Sequence, residues 1–131
     1  MKILKLLAPV ILLAAFGAAH AADDRGAKLN ALYSEYWEES LKLSPISATF
    51  AGDPRYNDQL PNFLTKEYED QNHAFEQKYL DKARAIGTDG LSGQDRLSYD
   101  IFTLARETEL EGFAFPDRLL PIDQFLSLIH I

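Results

Sequence analysis

Histidine is the first place to look for metal or general-base chemistry, and this chain has three. His20 falls in an N-terminal apolar stretch, which leaves His73 and His130. A helical zinc site of the H-E-x-x-H type sets two histidines one turn apart. Both imidazoles then reach one ion, with the glutamate beside the bound water. That motif does not occur in the 131 residues. Glu69 and His73 stand one helical turn apart, with Asp70 and Glu76 close by. They would supply one edge of a metal site; a solvated helix face is the plainer reading.

Nucleophilic chemistry fares no better. The chain has no cysteine, and its serines lie in no Gly-x-Ser-x-Gly elbow. With 20 acidic residues, neighbours such as Glu38 and Glu39 or Glu109 and Glu111 arise from composition alone. General acid–base work needs a shaped pocket, which a sequence does not display. Gly87, Gly90 and Gly93 lack the preceding strand and the lysine of a phosphate loop. The sequence therefore assigns no catalytic, cofactor-binding or metal-ligating residue. Two groups remain. Tyr33, Tyr36 and Trp37 could line a peptide or sugar groove, although at helical spacing they read first as core or packing surface. Asp53, Arg55, Tyr56 and Asp58 crowd a proline-bounded loop, where Arg55 is expected to brace the loop on a carboxylate.

The elements that must position these residues are helical. Leu29, Leu32, Tyr33, Tyr36, Trp37 and Leu41 recur at helical spacing. They predict a helix from about Arg25 to Leu43, with Asp23 and Asp24 offering capping oxygens before it. Ser44-Pro45 ends it, because a residue before proline avoids the α region. The same pair predicts a second, short helix, with Ser44 as N-cap, Pro45 in the first turn and Gly52 as its stop. Residues 53–63 read as a loop. Thr65 caps a third helix carrying Tyr68, Phe75, Tyr79, Ala83 and Ile86, with Asn72 inside the stripe and Gly87 at its end. Ser92 with Asp95 has capping-box spacing and opens a fourth. There Leu97, Ile101, Leu104 and Thr108 share a face, with Tyr99, Phe102 and Leu110 near it. Phe115-Pro116 and Leu120-Pro121 predict extended chain. No convincing strand or internal repeat is present. The expected fold class is all-α, with three to four helices.

Charge and the N-terminus bound the compartment. Lys2 and Lys5 precede an apolar run from Leu6 to Ala19, and Ala19-His20-Ala21 fits the small-x-small cleavage rule. Residues 1–21 are expected to be a signal peptide cleaved before Ala22. The run is shorter than the roughly 20 apolar residues that a membrane span needs. The whole chain carries 13 basic and 20 acidic residues, a net charge of −7. Loss of Lys2 and Lys5 leaves 11 basic residues and a net charge of −9. So acidic a chain suits neither nucleic acid nor an anionic membrane surface. The expected location is periplasmic or secreted, with no membrane attachment after cleavage.

An ordered set of motifs adds a resemblance. Tyr36-Trp37, Leu43-Ser44-Pro45, Ala51-Gly52-Asp53-Pro54-Arg55-Tyr56-Asn57-Asp58 and Leu60-Pro61 come first. Leu91-Ser92-Gly93-Gln94-Asp95-Arg96-Leu97-Ser98-Tyr99-Asp100 and Leu119-Leu120-Pro121-Ile122-Asp123-Gln124 follow. Together they resemble the N-terminal part of the bacterial domain-of-unknown-function 885 family, over nearly all of residues 27–125. The family groups with gluzincin-like zinc metallopeptidases. The resemblance implies a large helical fold, export, a zinc cofactor in the intact protein and a peptide substrate. It also implies a role for the N-terminal helices in walling the substrate channel. The family's H-E-x-x-H helix lies downstream of the matched region, so no zinc ligand and no catalytic glutamate carries over to any residue here. In the intact enzyme zinc would lower the pKa of bound water, and a glutamate would shuttle protons.

The last six residues, Leu126-Ser127-Leu128-Ile129-His130-Ile131, fit no helix period and resemble the translation of a sequencing-library adapter. On that reading residues 126–131 are an appended tail, His130 has no role, and residues 22–125 are an incomplete domain. Its missing C-terminal part would then be its principal partner. The expectation is an inactive N-terminal segment of an exported zinc-dependent peptidase-like hydrolase. The alternative is a complete small secreted helical binding module, with the aromatic face of the first helix as partner site. A module would unfold cooperatively; a severed piece would expose apolar faces meant for missing helices.

Overall fold

The computed structural model describes residues 4–115, and side chains from residue 24 onward. Four α-helices follow in order: α1 Leu4–Leu43, α2 Pro45–Phe50, α3 Lys66–Ile86 and α4 Gly93–Gly112. A single 3-10 turn, Pro54–Tyr56, lies between α2 and α3. The all-α class is as expected, and the described residues contain no strand. The proposed extended chain after Phe115 and the tail at 126–131 lie outside the described residues.

The first helix starts earlier than its periodic face suggests. Asp23 and Asp24 lie inside α1, and no acidic residue occupies its first turn. They therefore do not cap a helix at Arg25. The leucines and alanines upstream are strong helix formers, and no proline or glycine lies between Gly17 and Gly26 to break the run. The far end falls where expected. Ser44 leaves the helical region at φ −123° and ψ 80°, and Pro45 takes the first turn of α2. Ser44 stands at the N-cap position without capping. Its hydroxyl instead pairs with that of Ser47 at 2.7 Å.

Helix α2 closes with a Schellman motif. The Gly52 N–H donates to the Thr49 carbonyl at 3.0 Å and the Asp53 N–H to the Ala48 carbonyl at 2.8 Å. This geometry requires the φ of +81° that Gly52 adopts. The next residues make the brace anticipated for the loop. Arg55 grips Asp53 through Nε and Nη2 and reaches Glu38 on α1 with Nη1 at 2.9 Å. The guanidinium holds the Asp53 carboxyl below its ordinary value, first through its side-chain bonds and then through the Arg55 backbone N–H.

Both long downstream helices carry working N-caps. Thr65 Oγ1 accepts from the Tyr68 N–H at 3.2 Å. Ser92 Oγ accepts from the Asp95 N–H at 3.1 Å and donates to the Asp95 carboxylate at 2.7 Å. Asp95 also touches α1: a Cβ placed on buried Gly26 would lie 3.1 Å from Asp95 Oδ2. The start of α4 thus sits close against α1, where a side chain at Gly26 would make Asp95 give way by a few tenths of an ångström.

The core lies among α1, α3 and α4. Leu32, Tyr79 and Ala83 are buried at its centre, with Tyr36, Phe75, Ile86, Tyr99 and Phe102 packed around them. Tyr79 is fully buried, between Lys78 and Lys82, whose ammonium groups lie 4.9 and 5.1 Å from its ring centre. Those lysines pair across to Glu39 and Glu35 on α1, each at 2.6 Å. The sequence left open which face of α4 turns inward. The stripe Leu97, Ile101 and Leu104 faces outward, 53, 60 and 63% exposed. The inward face of α4 is Tyr99, Phe102, Thr103 and Arg106. The rings of Tyr33 and Tyr36 on α1 meet Phe102, and Tyr99 packs beside it against the core, a contact that outweighs the aliphatic stripe.

Candidate functional site

Three side chains from three helices meet where the core opens toward one surface. Glu76 of α3 is only 9% exposed. Arg106 of α4 forms an ion pair with it. Tyr36 of α1 donates from its hydroxyl to Glu76 Oε1 at 3.2 Å. The guanidinium of Arg106 stacks on Tyr36, 4.2 Å from the ring centre, and lies 5.1 Å from that of Phe102. Tyr36 also meets Phe75 and Tyr79 at 5.1 and 5.2 Å between ring centres. The charged pair is thus enclosed by aromatic rings.

Electrostatics follow from this enclosure. Burial pushes the Glu76 carboxyl above its ordinary value, against the pull of Arg106 and the Tyr36 hydrogen bond, and Glu109 adds to the rise. Burial, then the Glu76 charge, pushes the Tyr36 hydroxyl up to about 12. Burial also raises the Tyr33 hydroxyl, with Asp95 adding to it. That hydroxyl has no hydrogen-bond partner among the described residues. The Tyr79 hydroxyl is raised as well, first by burial and then by Glu39 and Glu35.

Beside the buried pair run two adjoining cavities. One, of about 310 Å³, is walled by Tyr36, Trp37, Ser44, Ser47 and Phe75, with Glu76 in its floor. The other, also about 310 Å³, is walled by Phe63, Tyr68, Phe113 and Phe115, with Glu69 at its edge. Asn72 and Glu109 line both, so the two form one trough. Asn72 is held by donating to the Tyr68 carbonyl at 2.8 Å. No lysine or arginine lines either cavity.

The residues singled out by sequence are dispersed by this arrangement. His73 is exposed and lies edge-on to Phe113, 5.2 Å between ring centres. It shares a shallow cavity with Glu69 and Asp70, where Asp70 is paired with Lys66. Glu76 turns away from that group into the core. Among the described residues no three histidine or carboxylate side chains converge as a metal site would require. His130 lies outside the described residues. Tyr33 and Tyr36 pack inward against Phe102, at 4.9 and 5.3 Å between ring centres. Trp37 is 52% exposed and stands at the rim of the trough.

No family model, no curated protein and no solved structure matches the chain. The site must therefore be read from its own geometry. Sequence reasoning missed Glu76 as a core residue and Arg106 altogether. A signal was present: Glu76 shares the helical stripe of Asn72, Tyr79 and Ala83, and Arg106 lies one turn beyond Phe102.

Proposed function

We propose that this chain is the N-terminal helical segment of an exported, zinc-dependent peptidase-like hydrolase whose catalytic motif lies downstream of residue 125. The observation that carries this reading is the outward stripe of α4. Leu97, Ile101 and Leu104 form one apolar row on a helix whose opposite side is already committed to the core. A helix apolar on two sides belongs inside a larger helical body. The ordered motifs from Tyr36-Trp37 to Asp123-Gln124 supply the family. Within that body these helices would wall the channel in which a peptide substrate lies. The apolar run and Ala19-His20-Ala21 support export to the periplasm or beyond.

The described residues do not fit zinc. One imidazole stands with two carboxylates, and one of those is already paired with Lys66. No step of the reaction is assigned to them. The segment is expected to be inactive when purified. A fluorogenic peptide library incubated with the 131-residue chain and zinc should show no hydrolysis above buffer. Zinc-dependent, chelator-sensitive cleavage by this chain alone would refute the proposal.

A further inference from the structure

We draw no further inference here: the strongest candidate, the exposed apolar row of Leu97, Ile101 and Leu104 along the outer face of α4, already serves the proposed reading, and nothing among the described residues shows what covers it.

Discussion

Glu76 and Arg106 pose a contest between desolvation and attraction. Taking both charges out of water costs several kcal/mol each, and their pairing repays that only because Tyr36 adds a hydrogen bond and a ring face. Removing one partner strands the other. Glu76→Leu alone should destabilise the chain by about 3 kcal/mol in urea unfolding. Glu76→Leu with Arg106→Met should recover most of that loss, since an apolar pair of similar volume needs no desolvation. A double variant as weak as the single would mean that the pair is net stabilising in itself. Tyr36 makes a second prediction. Its folded value of about 12 lies above its ordinary 10.0, so the folded chain holds this proton more tightly than the unfolded one. Its contribution is complete below pH 10 and is lost as pH rises through 12. Unfolding followed by circular dichroism should show stability falling across that window, and Tyr36→Phe should flatten the fall. None of this was legible in the sequence beyond the helical spacing. Glu76 reads as one of 20 acids, and only the approach of α4 to α3 supplies the arginine that lets it be buried.

At the scale of elements, local chemistry carried the reading and long-range packing defeated it. Pro45, Gly52, Thr65, Gly87 and Ser92 each mark a boundary within a residue or two of where the helices stop and start. Proline, glycine and hydroxyl side chains act on their own backbone, so their effects are visible without a fold. The start of α1 was misplaced because an acidic pair only permits a cap, and nothing nearby breaks the helix. Which face of α4 turns inward was not legible because both of its sides are apolar, and the choice belongs to Tyr33 and Tyr36 on α1. One element can be tested cleanly. Nothing lies within 4 Å of a Cβ placed on Gly52, so Gly52→Ala adds no clash. Its φ of +81° is nonetheless strained for alanine. Thermal unfolding should show a loss of about 1 kcal/mol. No loss would mean that the turn rearranges without consequence for the Asp53–Arg55–Glu38 brace.

The described residues form a three-helix core with α2 and its braced loop beside it, and among them much apolar surface is exposed. Phe50, Leu60, Leu64 and Phe115 are exposed together with the α4 stripe. Single exposed apolar residues mean little, but a continuous row on one helix asks for a covering partner. Among the described residues no helix is long and apolar enough to cross a membrane. On the proposed reading, further helices of the same protein would answer that demand. The sequence was legible here in a different way: fold class came from periodicity, whereas the proposed function rests on resemblance alone and assigns its chemistry to residues downstream of this segment. The central claim is tested most directly by reading the source locus with a long-read, library-free method across the codons for Gln124 and Phe125. The account predicts that the frame continues well past Phe125 and encodes H-E-x-x-H. A frame that ends after Ile131 would contradict it and leave a self-contained helical binding module in its place.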